Sequence, residues 1–534
     1  MNHLFQLRLL GIFFLFSITN GCSDVVHVSD VPLEFGSGAA DKTGSVALDG
    51  SPPGLKEAPN IVIIMADDLG WKDVGYNGSE IRTPHLDRLA ANGVELNRFY
   101  AHPTCSPTRA SLMTGKSPLR LGIFAPLSKN NPTGLPLAES TLADQLKQRG
   151  YQTALTGKWH LGARDKAYLP NARGFDHFYG HTTGGVGYWD KVHGGGYDLQ
   201  RNGKTVREEG YLTHLIAQEA VDVIGNRDRS RPLFLFASFN APHLPNEAPK
   251  QTVEEYDEIE NPYRRKHAAM VTEFDTAVGR IFQKLQDENM LENTIIWFMS
   301  DNGGLMAKPP PEWLPDWAFE AAVEWTFDIE ATPRMMEFIR INLTEGGSDN
   351  SPLRDGKGSL WEGGMRVPSF VYWKGKLAPS KSNQMIAMQD VLPTLLTLSG
   401  DIADPEAIDG RSVWPALMDN AKLSSNPVVT QMGPAPVDLA VFVFPWKLIL
   451  DSDGDAMLYN VEKDPSETNE ISGRYPVITE QLKTVLQEFP KGKNVALPLQ
   501  AIADDPDFFG GEEDRKPWAD TVAVSQLRPK GKMR

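Results

Sequence analysis

Cys105-Ser106-Pro107-Thr108-Arg109 sets a thiol four residues before a guanidinium, with a proline between them. Pro107 suits the first turn of a helix and Ala110 to Thr114 continue one, so the spacing predicts Cys105 at a helix N-terminus. Free backbone N–H groups and the helix dipole favour an anion there. The polar neighbours Thr104, Ser106 and Arg109 make a poor setting for a buried structural thiol. Other chemistry-bearing residues follow short apolar runs: Asp67-Asp68, then Lys158 and His160, then His243, then Asp301-Asn302. Any one of these alone reads as a cap or turn residue. Together, Asp67, Asp68, Asp301 and Asn302 form an all-oxygen set with three carboxylates, which suits a hard divalent cation such as calcium. Zinc would favour nitrogen or sulfur, and all eleven histidines lie at or before His267.

These residues need a scaffold that brings distant segments to one place. Asn60 to Met65 is a continuous apolar run, the mark of a strand buried on both faces. Gln152–Leu155, Leu233–Phe239, Thr294–Met299 and Val367–Trp373 are similar, with helical segments such as Thr141–Arg149 and Ala268–Glu288 between them. Such alternation predicts an α/β fold, a mainly parallel sheet covered by helices over residues 59–420. Open sheets of this kind bind ligands beyond the carboxyl ends of their strands, where the polar residues would converge. Within this domain, residues 305–350 break the rhythm with Trp313, Trp317, Phe319, Trp325, Phe327 and Phe338. They read either as a helical insertion packed on the core or as a wall of the cleft. Gly184–Asp198, with Tyr188, Trp189 and His193, reads either as a loop touching a sugar ring or as one packed by its aromatics. Residues 421–500 predict a smaller α+β subdomain, with a hairpin at Leu439–Phe444 and Lys447–Leu450 and a helix at Pro476–Phe489. Residues 501–534 form a charged, Pro/Gly-rich tail.

At 534 residues, 41% hydrophobic and 23% charged, the chain can bury a large core. Its net charge of −16 argues against a nucleic-acid partner, and any anion site must be built locally from placed cations. Arg8 followed by the apolar run Leu9–Ile18 predicts a signal peptide over residues 1–21 and hence export. Thr19-Asn20-Gly21-Cys22 predicts a lipid anchor at Cys22, the alternative being a plain signal with an incidental cysteine. Residues 22–58, rich in Gly, Ser, Asp and Pro, would be a flexible tether at the periplasmic or outer cell surface. The only cysteines are Cys22 and Cys105, so no disulfide framework is expected.

Cys-x-Pro-x-Arg followed by Ala-Ser-Leu-Met-Thr-Gly resembles the signature of the type I sulfatases. Pro59-Asn60 through Asp67-Asp68-Leu69-Gly70 fits the same family. So do Gly157-Lys158-Trp159-His160-Leu161-Gly162, Ser300-Asp301-Asn302-Gly303-Gly304, and Lys357 before Ser359-Leu360-Trp361-Glu362-Gly363-Gly364. Leu458-Tyr459-Asn460 and Asp464-Pro465 extend the likeness, which runs from about 59 to 490 and is nearest the arylsulfatase B-like branch. The resemblance implies an alkaline phosphatase-like fold. It also implies conversion of Cys105 to formylglycine (3-oxoalanine) by a formylglycine-generating enzyme, and calcium held by Asp67, Asp68, Asp301, Asn302 and residue 105 itself. Hydrated formylglycine would attack sulfur, aided by calcium and Asp301, with Arg109 holding the nucleophile. Lys158 and Lys357 would clamp the sulfate with His243 beside them. His243 would protonate the departing alcohol, and His160 would take a proton as sulfate is expelled. The expected substrate is a sulfated carbohydrate or aryl sulfate. The rival readings are a phosphatase or phosphodiesterase of the same superfamily, which would want a Ser or Thr nucleophile, and a retired binder of sulfated glycans.

Overall fold

The computed structural model describes residues 58–193, 196–327, 329–400, 407–424, 426–432, 438–497 and 517–522. The expected signal, Cys22, nearly all of the expected tether and, apart from 517–522, the expected 501–534 tail lie outside these residues.

Ten strands make the main sheet. In chain order they are β1 (Asn60–Ala66), β2 (Val94–Leu96), β3 (Gln152–Lys158), β4 (His177–His181), β5 (Gln200–Arg201), β6 (Lys204–Thr205), β7 (Leu233–Ser238), β8 (Thr294–Ser300), β9 (Ser369–Tyr372) and β10 (Ser380–Ser382). Their order across the sheet is β10-β2-β9-β8-β1-β7-β3-β4-β5-β6. The middle of the sheet, β8-β1-β7-β3-β4, is wholly parallel. Toward the edges β9 runs antiparallel to β8, and β5 antiparallel to β4. The expected mainly parallel sheet is therefore present, but the Val367–Trp373 run enters it antiparallel, without a crossover helix returning it to the common direction.

The apolar runs behave as a two-sided strand must, because successive side chains point to opposite faces. On β1, Ile61, Ile63 and Met65 join Leu112 and Met113 of α1 (Cys105–Thr114) in one buried layer. Val62 and Ile64 join Met270 and Phe274 of the long helix α2 (Pro262–Asp287) in the other. A second sheet of four antiparallel strands follows, β11 (Val428–Gln431), β12 (Leu439–Val443), β13 (Trp446–Leu450) and β14 (Ala456–Asn460). Helix α3 (Pro476–Glu488) packs Leu482 and Leu486 on this sheet.

The 305–350 segment holds two helices, Asp316–Phe327 and Pro333–Thr344, packed on each other through Phe319, Val323 and Met336. Trp313, Trp317 and Trp325 stay exposed. Its two ends return to the core, where Leu305, Gly346 and Gly347 line a cleft with Asp68, Leu244 and Asn246. The helices thus make a small core of their own, and the ends of the segment lie beside Asp68.

Candidate active site

Strands β8, β1, β7 and β3 are consecutive neighbours, so their carboxyl ends bring Asp301-Asn302, Asp67-Asp68, His243 and Lys158–His160 to one crevice. Asp67, Lys158, Asp301 and Asn302 are entirely buried, and Asp68, Cys105 and Arg109 almost so. Every predicted site residue from these strand ends, together with Cys105, Arg109 and Lys357, lies in this one place.

Cys105 opens α1 as expected, with Thr104 extended before it. Burial pushes its thiol above the usual range, while Lys158 and Lys357 oppose the rise. Donor atoms of Asp67, Cys105 and Asp301 lie within 4.8 Å of one another. Arg109, one helical turn on, donates Nε and Nη2 to Asp301 Oδ2 at 3.0 and 2.8 Å. Its Nη1 reaches the Lys158 carbonyl at 3.0 Å and Ser238 Oγ at 2.6 Å. The guanidinium thus ties β3, β7 and β8 together beneath Cys105.

The cations answer the carboxylates. Lys158 Nζ lies 2.5 Å from Asp67 Oδ2, and Lys357 Nζ 2.7 Å from Asp68 Oδ2. Burial and the neighbouring Asp301 push Asp67 up to about 8, Lys158 opposing. For Asp68 the upward push of burial loses to Lys357 and His243, which hold it well below the usual carboxylate range. Asn302 Nδ2 donates to Asp68 Oδ1 at 2.8 Å. Asp67 Oδ1 and Asn302 Oδ1 are buried without a hydrogen-bond partner. Leaving a buried acceptor unsatisfied is costly, so these two oxygens beside three clustered carboxylates fit a hard cation with oxygen ligands.

Two histidines face this cluster. His160 Nε2 donates to the Leu127 carbonyl at 3.0 Å, which leaves Nδ1 as a buried acceptor without a partner. Burial, then Lys158 and Arg109, hold it well below its usual pKa, so it is neutral. His243 Nδ1 donates to the Leu244 carbonyl at 2.7 Å, and Nε2 stands 3.7 Å from Asp68 Oδ2. Burial and Lys357 lower His243 to about 3, with Asp68 opposing. Asp68 and His160 both hold positive φ (64° and 59°). Non-glycine residues rarely adopt that region, and such strain clusters at functional sites.

Sequence reasoning missed a fifth strand end. Lys158 pairs with His181 across β3 and β4. His181 Nε2 and Thr183 Oγ1 are buried without hydrogen-bond partners. Burial, then Lys158 and Arg109, keep His181 neutral. In the Gly-rich loop, Tyr188 packs rather than reaching into the cleft: it stacks on Tyr211 at 5.2 Å and donates its hydroxyl to the Asn240 and His243 carbonyls. Trp189 is exposed.

A family model described as Sulfatase matches residues 59–401. Mouse arylsulfatase J is 30% identical over 508 residues, covering 84% of this chain and 78% of that protein. Human N-acetylgalactosamine-6-sulfatase is 31% identical over 405 residues, covering 71% and 69%. The crystal structure of Ps i-CgsB aligns with a TM-score of 0.72 at 29% identity, covering 84% of this chain and 98% of that one. Ps i-CgsB in complex with k-i-k-neocarrahexaose aligns with a TM-score of 0.71 at 28% identity, covering 85% and 100%.

Proposed function

The chain belongs to the sulfatase family and is an arylsulfatase-like hydrolase of sulfate esters; from that premise we propose that it releases sulfate from a sulfated carbohydrate, with formylglycine at residue 105 and a calcium ion. The observation that carries this reading is the placement of Cys105 at the head of α1, against three carboxylates and two buried acceptors without partners. Asp67, Asp68, Asp301, Asn302 and residue 105 would hold the ion. When present, calcium would supply positive charge beside the nucleophile, and the hydrated aldehyde two hydroxyls on one carbon, one to attack sulfur and one to drive sulfate out.

The chain's own side chains do the rest. Lys158 and Lys357 grip sulfate oxygens, and Arg109 holds Asp301 in place below residue 105. The bond from sulfur to the substrate's alcohol oxygen breaks, and that oxygen needs a proton. His243 Nε2 faces the cleft, but in the free site it is neutral. A bound sulfate ester brings negative charge between Lys357 and His243, cancelling the lysine influence and favouring imidazolium. His160, neutral with Nδ1 vacant, is set to accept a proton when sulfate leaves. A carbohydrate substrate is supported by the relatives, one named for a sugar sulfate and one solved with neocarrahexaose. The exported, lipid-anchored location rests on the sequence around Cys22.

The test joins two measurements on protein co-expressed with a formylglycine-generating enzyme. Peptide mass mapping should find an aldehyde at residue 105, and sulfate release from a panel of sulfated oligosaccharides should track that conversion. Full activity of unmodified protein, or of Cys105→Ala, would sink the mechanism. Sulfate release from aryl sulfates alone would sink the carbohydrate reading.

A further inference from the structure

After α3 the chain turns back across the catalytic domain. Gly492 N donates to the Leu119 carbonyl at 2.7 Å and Val495 N to the Gly122 carbonyl at 2.8 Å. Asn131 Nδ2 donates to the Val495 carbonyl at 2.6 Å, and Leu497 N returns a bond to Asn131 Oδ1 at 3.3 Å. The stretch being braced, 119–131, contains Leu127, whose carbonyl fixes the His160 ring and whose N–H binds Ser106 Oγ beside Cys105.

A second contact is made by Trp518. Trp518 donates its indole Nε1–H to the His193 carbonyl at 3.0 Å. A Cβ at Gly196 would stand 2.2 Å from the same indole, so that glycine lies flat on the ring. Lys129 Nζ sits over the same ring, 3.8 Å from its centroid. Trp518 therefore touches both the loop at His193 and Gly196 and, through Lys129, the stretch that holds His160.

That loop touches both histidines. A Cβ at Gly184 would come within 2.9 Å of the His160 ring, and one at Gly185 within 2.9 Å of the His243 ring. Buried Asp198 accepts from the backbone N–H groups of Thr182 and Thr183, each at 3.0 Å, and so fixes where the loop begins. Within the loop the His193 side chain bonds the Gly185 backbone, and Trp518 holds the carbonyl of the same His193.

We propose that Trp518 is a positioning residue: acting through residues 184–193 and 196–198, it keeps the loop backbone seated on His160 and His243 and thereby shapes the leaving-group side of the cleft. Trp518 is then a working part of the substrate wall. This rests on the sulfated-carbohydrate reading only for the choice of substrate, because the sulfatase activity itself can be read on an aryl sulfate.

The test compares wild type, Trp518→Phe and Trp518→Ala. Phe keeps an aromatic ring against Gly196 and Lys129 but loses the N–H to His193. Misplacing a reacting group by about 1 Å can cost up to about 10²-fold in rate, so Trp518→Ala should lose about tenfold or more in kcat/KM. Much of that should appear as a raised KM for a sulfated oligosaccharide, with Trp518→Phe recovering part. Limited proteolysis within residues 186–198 should speed up in Trp518→Ala while the thermal midpoint moves little. Unchanged kinetics in Trp518→Ala would overturn the proposal. So would a lower kcat with unchanged KM and a collapsed thermal midpoint, since that marks a merely structural residue. If wild type releases sulfate from no oligosaccharide, the carbohydrate reading fails, and the same comparison on an aryl sulfate still decides the role of Trp518.

Discussion

Burial holds both His243 and His160 below the usual imidazole range, yet the proposed chemistry asks one to give a proton and the other to take one. The difference lies in their open nitrogens. His243 Nε2 faces the cleft 3.7 Å from Asp68, where substrate charge can favour imidazolium, whereas His160 Nδ1 sits among Lys158 and Arg109, which disfavour it. A sugar alkoxide leaves poorly without a proton, while a nitrophenolate leaves readily alone. General acid help is typically about 10²–10⁴-fold, so His243→Ala should depress single-turnover hydrolysis of a sugar sulfate far more than that of a nitrophenyl sulfate. Equal losses would assign His243 to sulfate binding instead. Asp301→Ala removes one carboxylate of the cation cluster and the anchor of buried Arg109. It should abolish calcium uptake, measured by titration calorimetry on the unmodified protein, together with activity; calcium bound as tightly as in wild type would refute the assignment. Much of this site was legible because Asp67-Asp68, Lys158 and Asp301-Asn302 directly end or follow apolar runs. His181 and Thr183 were not, because His177-Phe178-Tyr179-Gly180-His181 carries no continuous aliphatic run to mark it as a strand.

Among the elements, α2 does more than cover the sheet. Its Asp275 accepts from the backbone N–H groups of His85 and Leu86, at 3.1 and 2.8 Å, at the start of the helix Pro84–Ala91. Burial pushes this carboxyl up to about 7, although those two hydrogen bonds pull it down. In the unfolded chain an aspartate titrates near 4. Between about pH 4 and pH 7 the folded state therefore holds a proton that the unfolded state has lost. Stability must fall as pH rises through this window, by at most about 1.4 kcal/mol per pH unit. Asp275→Asn should flatten that slope in urea titrations, and an unaltered slope would show that other groups set it. The core strands could be read from composition, since runs such as Thr294-Ile295-Ile296-Trp297-Phe298 bury both faces. The direction of β9 could not, because an apolar run carries no record of which way its neighbours point.

Across the whole molecule the second sheet is locked to the catalytic domain by buried charge. Lys447 Nζ on β13 lies 2.6 Å from Glu467 and 3.5 Å from Glu362, five residues after Lys357. Glu467 also accepts from the Glu362 N–H at 2.6 Å. Removing one partner of a buried ion pair typically costs about 3–5 kcal/mol. Lys447→Ala should lower stability by that order, read from the denaturant midpoint, and should loosen Lys357; a change below about 1 kcal/mol would mean that the buried pair does not lock the two parts. The contacts of Trp518 were hidden in the sequence, since a charged, Pro/Gly-rich tail reads as surface whatever it touches. Cys105 itself is only 2% exposed, beneath the 119–131 stretch and above Arg109. For a maturation enzyme that needs the peptide around residue 105 exposed, this burial would make folding a deadline. Protein folded with an unaltered thiol should stay inert to a formylglycine-generating enzyme added afterwards, while the same chain presented during synthesis should acquire the aldehyde. A population of this protein would then record, in its ratio of aldehyde to thiol, a race that ended when the chain folded.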